Sequence, residues 1–203
     1  MVISWLGDAG IRIHSKDTVI IIDPPGAGTG FKPTRQTANI VALTQAEGRD
    51  AKSIAGDPFI IDRPGEYERQ NVFLYGLQLP GDPDRVHFRV ETEELSLGHL
   101  GSLKAPIDNG QLAAFEGVDI LFVPVGGKSV LDAEAAATLI SQIEPRIVIP
   151  IQFKCPGSNA GYADASLFLK EMGSKSNQPI DKFKIIKKDL PVEETQVVVL
   201  SLS

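Results

Sequence analysis

Cysteine is nearly absent from this sequence: Cys155 is the single one among 203 residues. An internal disulfide and any multi-cysteine zinc cluster are thereby excluded, and the chain is expected to fold without covalent staples in a reducing, cytoplasmic compartment. Histidine is almost as scarce. His14, His87 and His99 lie far apart and never at metal-ligand spacing, which argues against a zinc site built from imidazoles. Positive charge is short as well: Lys+Arg 20 against Asp+Glu 26 leave a net charge of −6, the wrong balance for binding nucleic acid or an anionic membrane surface broadly. No apolar run approaches the ~18–20 residues that span a bilayer, and the opening Met1-Val-Ile-Ser-Trp-Leu6 lacks a basic leader. With 42% hydrophobic and 23% charged residues, the composition is that of a globular chain able to build one cored domain over 1–203.

What is present is a series of short β-branched runs at 2–6, 11–14, 19–23, 40–44, 59–62 and 72–75, separated by turn signals such as Gly7-Asp8-Ala9-Gly10, Ser15-Lys16-Asp17 and Arg63-Pro64-Gly65. Residues 86–90 and 94–97 are expected to form a further hairpin, 108–115 a helix, and 119–123 a buried strand. The second half alternates. Asp132 is a candidate N-cap for a helix over 133–143 that Glu144-Pro145 closes, followed by a strand at 147–150. An amphipathic helix over 163–172, ended by Gly173, and strands at 183–186 and 197–202 complete the chain. Strand-rich stretches passing into strand–helix alternation suggest two sheets packed face to face with helices outside.

Three motif-like stretches carry little chemistry. Gly26-Ala-Gly-Thr-Gly30 follows a strand, but it comes after two prolines and opens no helix, so it is expected to be a flexible loop rather than a phosphate cradle. Gly127-Lys128-Ser129 resembles the end of a P-loop, yet Phe122 stands where the first glycine belongs. Cys155, beside Pro156, has no local partner to activate a thiolate and reads as a structural thiol.

A more informative set runs in order along the chain: Ile3-Ser-Trp-Leu-Gly-Asp-Ala-Gly-Ile-Arg-Ile13, Val19-Ile-Ile-Ile-Asp-Pro24, Ala42-Leu-Thr-Gln-Ala-Glu-Gly-Arg-Asp50, Pro64-Gly-Glu-Tyr-Glu68, Gly98-His-Leu-Gly-Ser-Leu103, Val118-Asp-Ile-Leu-Phe-Val-Pro-Val-Gly-Gly127 and Pro145-Arg-Ile-Val-Ile-Pro-Ile-Gln-Phe153. Together they resemble the metallo-β-lactamase superfamily, in its branch of stand-alone hydrolases akin to ascorbate-6-phosphate lactonases. The resemblance implies a four-layer αββα sandwich and zinc-dependent hydrolysis. It also implies where the zinc ligands should stand, in a T-H-x-H-x-D-H stretch after the fourth strand. Here that stretch reads Thr44-Gln45-Ala46-Glu47-Gly48-Arg49-Asp50. Gln45, Glu47 and Asp50 replace the three histidines, Arg49 replaces the aspartate, Ser102 the bridging aspartate, Gln152 the late histidine and Asp8 an upstream histidine.

Zinc favours imidazole or thiolate donors, which an amide does not match, and the fixed charge of Arg49 repels a cation. Without the metal, no bound water reaches a pKa near ~7, so the hydroxide nucleophile implied by the resemblance is not generated. Two arrangements of the cleft stay open. Arg49 pairs with Glu47 or Asp50 and fills the former metal position, or Asp8, Asp23, Glu47, Asp50 and Glu66 converge on a hard cation such as Mg²⁺, Mn²⁺ or Ca²⁺. Asp23, whose family counterpart holds a ligand histidine, is left to bond loop amides or Arg49. His99 lies beside a ligand position rather than on it, while His14 and His87 read as strand residues. The expectation is a catalytically inactive relative without cofactor, its former metal site (Asp8, Asp23, Gln45, Glu47, Arg49, Asp50, Glu66, Ser102, Gln152) binding a small anionic ligand through Arg49 and the loop amides, or a protein partner. The alternative is a hydrolase of a small lactone or phosphorylated substrate that uses Glu47, Asp50 and His99 with a non-zinc metal or none. Sequence leaves ligand and oligomeric state open.

Overall fold

The computed structural model describes residues 1–31, 35–45, 51, 54–79, 82–107, 109–174 and 178–203, with the backbone alone described at 109. β-Branched residues, alternating with polar ones in the second strand, build the first sheet. In β1 (Val2–Gly7), β2 (Gly10–Ser15) and β3 (Thr18–Ile22), Ile11 pairs with Ile22 and Ile13 with Ile20, all four fully buried, while His14 faces solvent. β5 (Ile40–Ala42) and β7 (Phe59–Ile61) extend this sheet in parallel to β3, and β14 (Phe183–Lys184) pairs antiparallel with β1 at the other edge. A separate parallel ladder joins β4 (Gln36–Thr37) to β6 (Ile54–Ala55).

The second sheet has seven strands in the order β15-β13-β12-β11-β10-β9-β8. Its antiparallel half is β8 (Gly65–Arg69), β9 (Val72–Leu79), β10 (Asp82–Thr92) and β11 (Leu95–His99). Two hairpins turn on two residues each, Gln70-Asn71 and Glu93-Glu94, and all four residues have positive φ (53°, 61°, 51° and 63°). Such double left-handed turns match the twist of the flanking strands. Glu94, expected as the first residue of a strand, therefore lies in the turn. The parallel half is β12 (Ile120–Pro124), β13 (Ile147–Ile151) and β15 (Gln196–Val197). β12 and β13 are buried at every position, as strands covered on both faces must be.

The crossover between them is α2 (Ala133–Ile143), whose buried Ala136, Leu139, Ile140 and Ile143 recur at helical spacing. Asp132 caps it as expected, accepting from the Ala135 amide at 2.9 Å, and the left-handed Glu144 before Pro145 ends it. The helix expected over 108–115 is one short turn, α1 (Asn109–Leu112), running into a tighter 3-10 turn over Ala113–Phe115; Gly110 within it weakens the helix. α3 (Ala165–Glu171) starts later than 163 because the Asp164 carboxylate caps it, 2.8 Å from the Ser166 amide. Within the segment 197–202 only Val197 stays in the second sheet; Leu200 bridges to Ile180 and Leu202 to Trp5. The Gly26 to Gly30 loop carries a 3-10 turn at Ala27–Thr29 and is tied to the 157–159 segment, with the Asn159 amide donating to the Thr29 carbonyl at 3.0 Å.

One apolar core runs between the sheets and under α2 and α3, with Trp5, Phe88, Phe115, Phe122 and Phe168 sealed inside. On the outer face of the first sheet, Leu6, Ile21, Val41, Leu43 and Ile54 form a second cluster with Ala38 and Ala51 against it. The architecture is the expected α/β sandwich of two mixed sheets with helices outside. Among the described residues, the outer face of the first sheet is covered by the β6 segment rather than by an α-helix. No helix among them is long and apolar enough to cross a membrane.

Candidate functional site

The strands deliver the site at one end of the sandwich, in the turns that follow β1, β3, β5, β11 and β13. Asp8, Ser102 and Gln152 come from three of these turns and meet below the surface, with exposures of 7%, 7% and 2%. The Gln152 amide is their hub: Nε2 lies 3.2 Å from Asp8 Oδ1, 2.9 Å from Ser102 Oγ and 3.1 Å from the Tyr162 hydroxyl. Tyr162 also donates to Asp8 Oδ1 at 3.2 Å, and the Gln152 backbone amide donates to the Asp8 carbonyl at 3.1 Å. The amide orientation follows from chemistry, since reversing it would set the amide oxygen against the Asp8 carboxylate. Gln152 Oε1 is buried and has no hydrogen-bond partner among the described residues.

Gly126 makes this contact possible. A Cβ there would lie 2.1 Å from the Gln152 carbonyl oxygen and 2.7 Å from Tyr162 Cβ, so only glycine lets the Tyr162 segment lie across the end of β13. The Ala163 amide fixes that approach by donating to the Gly126 carbonyl at 2.8 Å.

Beside the hub, Asp23 is fully buried and its carboxylate accepts from Thr44: the backbone amide at 2.8 Å and, through a short bond, the hydroxyl. This is the bonding to a loop amide expected of Asp23. His99, 1% exposed, accepts from the Gly101 amide at Nδ1 (3.1 Å), which puts its proton on Nε2, 2.9 Å from the Ala9 carbonyl. Both ring nitrogens thus bind backbone, a positioning arrangement rather than that of a general base. Gln45 Oε1 accepts from Arg85 Nε at 3.1 Å, and Arg85 holds Asp82 at 2.6 Å.

Glu47, Arg49 and Asp50 lie outside the described residues. Glu66 is exposed on the edge strand β8, opposite Tyr75 of β9. Cys155 is half-buried, and burial together with the nearby Asp8 charge pushes its thiol up to about 11, consistent with a structural role. Tyr162, Arg85, Asp82 and the inward-facing His87 escaped sequence reasoning. Only their placement in three dimensions links them to the site; the signal nearest to hand was the charged Asp82-Pro-Asp-Arg85 run ahead of a strand.

The pattern of the "Beta-lactamase superfamily domain" family matches residues 2–152 of the chain. The chain belongs to the metallo-β-lactamase superfamily. A Thermotoga maritima protein of this superfamily superposes with a TM-score of 0.84 at 24% identity, covering 99% of this chain and 100% of that one. A metallo hydrolase from Ignicoccus hospitalis, Igni18, gives 0.68 at 14% identity over 91% of this chain and 98% of its own. Both likenesses concern the fold. A UPF0173 protein of Pyrococcus furiosus is 38% identical over 55 residues, 27% of this chain; the match spans about a quarter (24%) of that relative.

Superfamily membership implies a zinc site, and the donors described here do not fit one. Where the resemblance places an imidazole, Gln152 directs an amide N–H₂ toward Asp8 and Ser102; an N–H donor cannot ligate a cation. Asp23 spends its carboxylate on Thr44. Among the described residues, no three His, Cys, Asp or Glu side chains converge as a metal-holding group.

Proposed function

We propose that this chain is a metal-free, catalytically silent member of the metallo-β-lactamase superfamily, a cytoplasmic single-domain protein retained for binding a small ligand or a protein partner. The observation that carries the reading is the Gln152 amide at the hub, 3.2 Å from Asp8 and 2.9 Å from Ser102. A buried carboxylate such as that of Asp8 needs a source of positive potential, and the amide hydrogens supply one without a metal. Backbone strain at the same place supports a retained cleft. Asp8, Asp23 and Gln152 hold φ of 50°, 50° and 52°, a left-handed conformation that costs of order 1 kcal/mol or more outside glycine and tends to cluster where chains bind ligands.

The test is elemental analysis of untagged protein purified without chelator, combined with thermal unfolding in the presence and absence of added zinc, manganese and magnesium. Less than about a tenth of an equivalent of every metal, no stabilisation by mass action, and no lactonase, phosphodiesterase or β-lactamase activity are the expected results. A stoichiometric metal, or a rise in Tm that saturates with one, would overturn the reading.

A further inference from the structure

His87 is fully buried in the middle of the long strand β10, and only one of its ring nitrogens is satisfied. Nδ1 lies 3.0 Å from the Leu100 carbonyl. A carbonyl accepts only, so Nδ1 carries the proton and Nε2 of the neutral ring is a bare lone pair. That lone pair points at another acceptor, Asp82 Oδ2, 3.8 Å away. Both atoms are buried, and neither has a hydrogen-bond partner among the described residues. Two buried acceptor atoms facing each other, on side chains that are 0% and 14% exposed, lack one thing, a proton between them.

The positions of the two residues give that proton a consequence. Through Nδ1, His87 holds Leu100, which leads into Gly101 and Ser102. Through its other oxygen, Asp82 Oδ1, the carboxylate holds Arg85 at 2.6 Å, and Arg85 Nε holds Gln45 at 3.1 Å. Ser102 and Gln45 are two of the replaced ligand positions, on loops that follow different sheets' strands, β11 and β5. We propose that His87 and Asp82 form a proton-operated clasp between these two loops. At neutral pH the clasp is open, with the two acceptors held apart. When solvent supplies a proton to Nε2, the imidazolium N–H donates to Asp82 Oδ2, and the separation closes by about 1 Å to the ~2.7–2.9 Å of a charge-assisted bond. Arg85 and Gln45 move with the carboxylate toward Leu100.

The groups that face His87 act in opposite directions, with the net effect that it takes up its proton below 6.5. Burial is the largest influence and holds the imidazole below its ordinary 6.5; Arg85 acts the same way, while Asp82, the Leu100 carbonyl and the more distant Asp23 oppose it. The clasp depends on these side chains alone, so it stands whether or not the cleft proves metal-free.

Proton-detected nitrogen NMR of the full chain between about pH 8 and pH 5 tests it. Expected are an Nδ1–H tautomer of His87 at the upper end, proton uptake below 6.5, and shifts of the Gln45 side-chain amide and the Gly101 backbone amide with the same midpoint. In Asp82→Asn the carboxamide can donate to Nε2 at every pH. The expected result is a midpoint for His87 lowered by one unit or more, about tenfold weaker proton binding, and a Gln45 signal that no longer moves with pH. An unchanged midpoint in that variant would overturn the clasp. So would Gln45 and Gly101 signals in the parent protein that ignore His87, or unfolding before His87 titrates; these parent readings decide the matter even if the variant does not fold.

Discussion

Replacing Gln152 by glutamate turns the amide donor at the centre of the cleft into an acceptor, and the cost can be worked from the contacts. Ser102 Oγ and the Tyr162 hydroxyl lie 2.9 and 3.1 Å from Gln152 Nε2; the serine hydroxyl can rotate to donate to the new group, whereas the single Tyr162 proton serves either that group or Asp8 Oδ1, so one of its two bonds is lost. The contact of residue 152 with Asp8 Oδ1 at 3.2 Å does not survive. A hydrogen bond to a charged acceptor is lost, about 1.5–3 kcal/mol, and two carboxylates about 4 Å apart repel by about 4 kcal/mol at an effective dielectric constant near ~20. Sharing a proton limits that repulsion. The net expectation near neutral pH is a loss of about 3–5 kcal/mol, a large part of the ~5–15 kcal/mol of a typical domain.

The sign of the pH dependence follows. The introduced carboxyl takes a raised pKa in the folded state, so the folded protein binds more protons than the unfolded one above about pH 4.3, and stability recovers as pH falls from about 7.5 toward 5. Mg²⁺ or Mn²⁺ should restore stability to the variant and leave the parent unchanged. Urea unfolding followed by fluorescence of Trp5, the single tryptophan and 2% exposed in the core, reads all three effects. A variant as stable as the parent near neutral pH, or a parent stabilised by cations as strongly as the variant, would refute the role given to the amide.

Gly126→Ala should cost about 2–3 kcal/mol in the same assay, because its Cβ would fall 2.1 Å from the Gln152 carbonyl oxygen. Asp132→Ala should remove about 1 kcal/mol by uncapping α2, and Asp132→Asn should restore most of it. Cys155, at about 11 against an ordinary 9.0, should react with a thiolate-selective reagent near pH 7.5 about 100-fold more slowly in the folded protein than in urea; equal rates would contradict its placement. His87 sits lower in the folded state than its ordinary 6.5, so the unfolded chain binds the extra proton. Stability should therefore be insensitive to this group above that value and fall as pH drops below it, with a smaller acid slope in His87→Gln.

The elements legible in the sequence are those whose apolar residues follow a local pattern. Ile11 and Ile13 alternate with Arg12 and His14, Val19 to Ile22 is an unbroken β-branched run, and Ala136, Leu139, Ile140 and Ile143 repeat at helical spacing, so β2, β3 and α2 could be read locally. β8 could not. Its residues Gly65-Glu-Tyr-Glu-Arg69 are mostly exposed, and only pairing with β9 makes them a strand. The Glu93-Glu94 turn escaped for the opposite reason, since neither residue advertises a left-handed turn as Asn-Gly would. Within the site, Asp8, Ser102 and Gln152 could be singled out because each substitutes for a ligand implied by a recognisable local pattern. Tyr162 reaches Asp8 across 154 positions of sequence, and His87 was placed correctly in a strand while the orphaned nitrogen that gives it interest depends on where Asp82 turns.

The turns that line the cleft hold their side chains by hydrogen bonds, at a cost in backbone strain. Gln152 is a poor residue for a left-handed backbone, yet it holds φ 52° at the end of β13, where its amide donates to Asp8 and Ser102 together. Strain at one residue is offset by hydrogen bonds that a relaxed backbone would aim elsewhere. The same trade recurs at Asp23, φ 50°, whose carboxylate takes the Thr44 amide and hydroxyl. Both arrangements hold a buried carboxylate with N–H and O–H donors, whose attraction is short-ranged and directional. A cleft held in this way tolerates no stray charge at its centre, and this is why a single change of amide to carboxylate at Gln152 should do more damage than its size suggests.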